Sequence, residues 1–223
     1  MDLAIREDIY CCSCAEHVVV LDARADKYLL VPERLGPALL RLWNNDSPEE
    51  RDQVLLQSLI SAGIVVTGRP SPSDHLRSIA GTRPNCELTM RDPLRVRWIE
   101  AARAAVYQIV SGLGLRRKGL AAVLADLQHN PREVPEAGDS TDERILRVAV
   151  AFQAISGLIK QHDKCLPRSI GFVRLCRAKG VKVTLIVGVA MDPFSAHAWV
   201  QSGACVLNDS LERVRWFTPI FAV

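Results

Sequence analysis

An α+β fold in two unequal parts is what this sequence predicts, and three observations predict it. Residues 1–67 read as three strands, two helices and a closing strand. Residues 68–93 are rich in Pro, Ser, Gly and Arg, as in Gly68-Arg69-Pro70-Ser71-Pro72-Ser73, and read as a linker. Residues 94–223 carry helical spacings first and alternating, strand-like runs last. At 223 residues there is ample chain for a core in each part.

In the first part, Ile5–Cys12 and Glu16–Asp22 read as strands, the second through Val18-Val19-Val20-Leu21. Ala23-Arg24-Ala25-Asp26 is a turn, and Lys27–Val31 is a third short strand. Pro32-Glu33 opens a helix through Leu35, Leu39, Leu40, Leu42 and Trp43. Ser47 is placed as the N-cap of a second helix, with Pro48 in its first position. That helix carries Val54, Leu55, Leu59 and Ile60, stops at Gly63, and leads into Ile64-Val65-Val66 as a final strand. Three strands followed by helices make a small winged-helix-like unit.

In the second part, one helix spans Leu94 to about Val110 and includes Trp98, Ile99, Ala102, Val106 and Ile109. A shorter one follows near Arg117–Gln128, then a loop over Asn130–Asp139. Ser140-Thr141-Asp142-Glu143 has the capping-box pattern and starts a helix to about Lys160. Cys165 opens the next helix, with Leu166, Ile170, Val173 and Cys176 at helical spacing and Gly180 as the stop. Pro167 is tolerated because it falls in the first turn. Val181–Val189 alternates as a strand that Asp192-Pro193 ends; Ala196–Gln201 is a second strand, Ser202-Gly203 a turn, and Ala204–Asn208 the return.

The chemistry lies in this last stretch. A cysteine at a helix start sits by unpaired N–H groups and the positive end of the helix dipole, which favour the thiolate. Those N–H groups also suit an oxyanion. A thiol nucleophile needs a base, and the base needs a group to orient it. Cys165, His197 and Asp209 occur in that order and setting. With a three-residue loop centred on Gly203, Asp209 lies opposite His197; with a two-residue loop, Asn208 takes that place. A cysteine in an apolar stretch is usually a small core residue, and Cys176 and Cys205 read so. The three residues together point to papain-like thiol chemistry.

Other chemistries find less support. A net charge of +3 is too weak to indicate nucleic acid, and Glu49-Glu50 at the start of the second helix is unfavourable near phosphate. Seven irregularly spaced cysteines argue against a disulfide framework and for a reducing compartment. Cys11, Cys12, Cys14 and His17 lack a second ligand pair, so no metal is expected. Gly112–Gly119 lacks the order of a phosphate loop, and no cofactor is expected in this chain. No apolar run approaches the roughly 18–20 residues of a membrane span, and Met1–Asp8 has no signal-peptide pattern, so a cytoplasmic location is expected.

From about Ile145 onward the sequence resembles the transglutaminase-like cysteine peptidases that remove leader peptides in lasso-peptide biosynthesis. The resemblance rests on Cys165-Leu166-Pro167-Arg168-Ser169, the Gly188 turn region, and Pro193-Phe194-Ser195-Ala196-His197-Ala198-Trp199-Val200. It implies Cys165 as nucleophile, His197 as base and Asp209 as orienting acid. The first part resembles the precursor-recognition module of peptide-modifying systems, through His17–Asp22, Asp26–Leu30 and Leu59–Val65. That module implies a leader peptide added as a strand to the edge of the third strand, with Tyr28, Leu30, Leu55 and Leu59 lining its pockets. The resemblance further implies cleavage of a ribosomally made precursor. A partner asparagine-synthetase-like cyclase would supply any ATP dependence and close the macrolactam. The same triad would serve an acyltransferase or transglutaminase, and an inert triad would leave a leader-binding scaffold. A second oxyanion donor is expected, and Gln161 is the candidate that the sequence offers.

Overall fold

The computed structural model describes residues 3–46, 50–68, 83–89, 97–129, 141–156 and 164–223, apart from the side chains of residues 50, 51, 53, 129 and 141. The Ser47-Pro48 helix start, Ser140 of the capping box and Gln161 lie outside the described residues.

The fold is α+β. Strands β2 (Ile9–Cys14), β3 (His17–Asp22) and β4 (Lys27–Val31) form an antiparallel meander with β4 at an edge. The strand expected over Ile5–Cys12 is divided, because β1 (Leu3–Ile5) pairs with β5 (Val65–Thr67) while β2 pairs with β3. Arg6–Asp8 makes the change of partner: the Ile9 N–H donates to the Arg6 carbonyl at 3.0 Å. The Arg6 guanidinium then holds the Gly63 carbonyl at 2.8 Å and the Asp22 carboxylate at 2.7 Å. Helix α1 (Gly36–Trp43) begins later than Pro32, whose carbonyl accepts from the Leu35 N–H in a preceding turn. Helix α2 (Glu50–Ser61) is tied to α1 by two hydrogen bonds from Arg41 to the buried Asp52 carboxylate, at 2.9 and 2.7 Å.

Alternation along β3 decides how the two parts meet. Val18 and Val20 face a core with Leu39, Leu56 and Leu59 of α1 and α2. Val19 and Leu21 face a second core together with Leu124, Phe152, Leu185 and Phe221. One face of the meander therefore shares its core with the C-terminal elements. Tyr10 meets Phe221 edge-to-face at 4.6 Å, a contact worth about 0.5–1.5 kcal/mol beyond its buried area.

The larger sheet has the order β10-β7-β8-β9-β6. Its strands are β7 (Thr184–Ala190), β8 (Ser195–Ser202), β9 (Cys205–Val206), β10 (Thr218–Ala222) and β6 (Cys86–Glu87). Strand β6 comes from the stretch expected as linker and pairs parallel with β9. Helix α3 (Trp98–His129) holds the two expected helices joined across a kink at Gly119 (φ 79°, ψ 170°), so the first continues past Val110. Its large apolar residues Trp98, Val106 and Ile109 are exposed, whereas Ala104, Gln108 and Ser111 face inward. Helices α4 (Thr141–Ser156) and α5 (Cys165–Ala178) complete the layer on the sheet.

Small residues face inward because α3 and α5 approach backbone to backbone. A Cβ built on Gly171 of α5 would lie 3.0 Å from backbone atoms of Tyr107 and Gln108. Neither backbone can yield cheaply, so Gly171→Ala is expected to lower stability by about 1–3 kcal/mol, the range for overpacking. Chemical denaturation of the two proteins checks this.

Candidate active site

Cys165 is the first residue of α5, and Pro167 occupies the first turn without breaking it. The Lys164 side chain does not cap the helix, so the first-turn N–H groups stay available. Against the upward pull of burial, interactions with His197 and with the backbone N–H groups of Leu166 and Ala198 act to lower the pKa of the Cys165 thiol. It faces a cavity of about 210 Å³ that His197, Asp209, Gln108 and Arg168 also line.

His197 projects from β8, with Gly188 of β7 directly across. Gly188 lies inside a strand, not in a turn as the sequence suggested. A Cβ there would come within 2.8 Å of Trp199 and 2.9 Å of Phe217, so its absence makes room for both rings. Phe217 lies 5.0 Å from the imidazole, centroid to centroid, and His197 is only 4% exposed.

The hairpin that brings Asp209 back follows neither expected register. Gln201 pairs with Val206 and Ser202 with Cys205, leaving Gly203-Ala204 as a two-residue loop with Gly203 at φ 56°. In that register neither Asp209 nor Asn208 lies opposite His197. Strand β9 ends at Val206, the chain bends through residues 207–209, and Asp209 Oδ2 meets His197 Nε2 at 2.6 Å. That bond leaves Nδ1 as the ring nitrogen for the thiol.

Asn208 serves elsewhere. Its Oδ1 accepts from the Val200 N–H at 2.8 Å, and its Nδ2 donates to Ser169 Oγ at 2.9 Å. Ser169 in turn donates to the Ala198 carbonyl at 2.9 Å. Two side chains that carry no reactive group thus join the cysteine helix, the histidine strand and the aspartate bend. On the far side, Glu87 of β6 accepts from the Leu211 N–H at 2.6 Å, fixing the start of α6 (Leu211–Val214) just beyond Asp209.

The electrostatic shifts all lie in the direction of charge separation. Burial alone raises the Cys165 thiol, but the His197 hydrogen bond and charge and the two N–H groups outweigh it, leaving the pKa lowered. Burial likewise opposes the imidazolium, yet hydrogen bonds with Asp209 and Cys165 raise His197 to about 9. For Asp209 burial is overcome by the His197 and Ser210 hydrogen bonds and by Arg213, and the carboxyl is lowered. All three shifts favour thiolate, imidazolium and carboxylate together.

The four side chains expected to line leader-binding pockets fall on two elements, β4 and α2. Tyr28 and Leu30 share one face of β4; opposite them in β3, Leu21 and Val19 face the core shared with the C-terminal elements. Leu55 and Leu59 belong to α2 and pack on the other core, Leu59 being only 3% exposed. Tyr28 instead meets Phe194 at 5.4 Å, three residues before His197. Leu29 and Leu30 are exposed along the free edge of β4. Cys11 and Cys12, adjacent in β2, point into different cores.

The profile of the transglutaminase-like superfamily matches residues 105–222, more than half of the chain and the whole of this cavity's thiol, imidazole and carboxylate. The chain belongs to the transglutaminase-like superfamily. That superfamily generally carries cysteine peptidase or acyltransferase activity. Over 46 residues the chain is also 35% identical to the microcin J25-processing protein McjB of Escherichia coli, a stretch covering 21% of this chain and 22% of that protein. No solved structure matches it. Among the described residues, no helix is long and apolar enough to cross a membrane.

An ion pair between Cys165 and His197 has a measurable signature. Iodoacetamide alkylation of Cys165, followed against pH, is expected to rise with a midpoint below the ordinary thiol value of 9.0. Asp209→Asn removes the strongest interaction that raises His197, so burial then lowers the imidazole from about 9. A neutral His197 no longer supports the thiolate, and the alkylation midpoint of this variant is expected to move up in pH.

Proposed function

We propose that this chain is a cysteine peptidase that removes the leader from a ribosomally synthesised lasso-peptide precursor. One observation carries the reading: a helix-start thiol shares a cavity with an imidazole that a carboxylate holds at 2.6 Å. The likeness to a microcin-processing protein supplies the substrate class.

In the proposed reaction the Cys165 thiolate attacks the scissile carbonyl, forming the carbon–sulfur bond while the carbonyl oxygen becomes an oxyanion. Collapse of that intermediate breaks the carbon–nitrogen bond, and the His197 imidazolium gives its proton to the departing core amine. Neutral His197 then takes a proton from water, whose oxygen attacks the thioester and releases the leader acid. Asp209 fixes the imidazole with Nδ1 towards the sulfur and stabilises its charge. The freed amine is the substrate of a separate asparagine-synthetase-like cyclase, the partner that would use ATP.

Leader docking is assigned to the free edge of β4, where Leu29 and Leu30 are exposed. Main-chain hydrogen bonds to that edge need no enclosed pocket, which suits the separation of Tyr28 and Leu30 from Leu55 and Leu59. Polarity follows from Tyr28, which lies at the start of β4 and reaches Phe194 near the cavity. The bond to be cut is C-terminal to the leader. The leader strand therefore runs antiparallel to β4, so that its C-terminal end leaves beside Tyr28.

Mass spectrometry of a full-length lasso precursor tests the reading, with wild type set against Cys165→Ala, each with and without the cyclase and ATP. A leader acid and a free core with the wild type alone are expected. A product joined to an added amine in place of water would assign an acyltransferase. Binding without conversion in every condition would assign a scaffold, and equal cleavage by both proteins would remove Cys165 from the reaction.

A further inference from the structure

Gln108 is a largely buried amide that faces the candidate site. The residue is 7% exposed and lines the same cavity as Cys165. Among the described residues its side chain makes no hydrogen bond, so the amide is open to a group bound in the cavity. The other amide in the cavity, Asn208, is committed at both ends, to Val200 and to Ser169.

Its place relative to the thiol is fixed by backbone, not by side-chain packing. The Gln108 Cα and N lie 3.0 Å from where a Gly171 Cβ would be, and one turn further along α3 a Cβ on Gly112 would be 3.7 Å from Pro167. Both contacts reach α5, the helix that begins at Cys165. The cavity thus offers a neutral N–H donor on a rigid mount beside the nucleophile. Such a donor contributes most where charge appears only during the reaction, because it needs no reorganisation.

We infer that Gln108 donates a side-chain hydrogen bond to the oxyanion that forms when Cys165 attacks a carbonyl. The inference rests on Cys165 being the nucleophile of the proposed peptidase. The bond completes a site whose other donors are backbone N–H groups at the start of α5. In the step itself the sulfur–carbon bond forms, the carbonyl electron pair moves to oxygen, and Gln108 shares its proton with that oxygen without transferring it.

Three readouts on wild type, Gln108→Ala and the similarly shaped Gln108→Met test this. The first is the acylation burst with 4-nitrophenyl acetate, in which nitrophenolate leaves and a thioester remains. The second is kcat and KM on the precursor, and the third is alkylation of Cys165 by iodoacetamide, which forms no oxyanion. Both variants are expected to lose roughly 10²–10³-fold in acylation rate and kcat, with KM and alkylation rate held. Acylation at the wild-type rate in a folded variant would overturn the inference. Parallel loss of acylation and alkylation would overturn it too, since Gln108 would then only support the ion pair. If the wild type acylates but leaves the precursor intact, the peptidase reading fails while the comparison of variants still decides the role of Gln108. If the wild type alkylates but never acylates, both fall.

Discussion

The site depends on a short hydrogen-bonded chain, Val200 N–H to Asn208 to Ser169 to the Ala198 carbonyl, with links of 2.8, 2.9 and 2.9 Å. Three pieces of chain far apart in sequence carry the thiol, the imidazole and the carboxylate. A helix start and a strand can slide against each other by an ångström without losing much apolar contact, and such a slip would separate sulfur from ring. Directional bonds between Ser169, one turn into α5, and the strand on either side of Trp199 remove that freedom. Ser169 is 1% exposed, so breaking the chain would leave polar groups unsatisfied inside the protein. The cost makes the arrangement effectively all-or-none.

Around that lock the fold supplies close approach on two sides. Gly188 lets Trp199 and Phe217 crowd against the histidine strand, and Gly171 lets α3 settle on α5. Both glycines act through the missing Cβ rather than through unusual backbone angles. On the open side, β6 closes the sheet beyond β9 and Glu87 caps the chain just past Asp209. The meander is not an appendage to this arrangement: Tyr10 and Val19 share the C-terminal core, and Tyr28 reaches the loop before His197. Strand β4 is thus tied by packing to the elements that form the cavity.

Much of this was legible in the sequence, for reasons that are local. Cys165 at a helix start, Pro167 in its first turn and the alternating β7 and β8 are patterns that a few residues define. The elements that escaped are those set by distant partners. Ile5–Cys12 reads as one strand, and only the pairing of β1 with β5 forces the turn at Arg6. A two-residue strand at Cys86 has no pattern of its own. The stretch between Val110 and Arg117 reads as a gap between two helices, yet it is helical and the kink falls at Gly119. Asp209 meets His197 outside the expected register, because a bend after β9 replaces the expected ladder. Gln108 had one faint signal, a polar residue on the small-residue stripe with Ala104 and Ser111.

The central claim is that Cys165 and His197 rest as thiolate and imidazolium, held so by Asp209. Nitrogen-15 NMR of the His197 ring, titrated in the wild-type protein, addresses it most directly. The account predicts a doubly protonated imidazole at neutral pH that loses its proton near a pH of about 9. A ring that is already neutral there, titrating at or below the ordinary histidine value of 6.5, would contradict it.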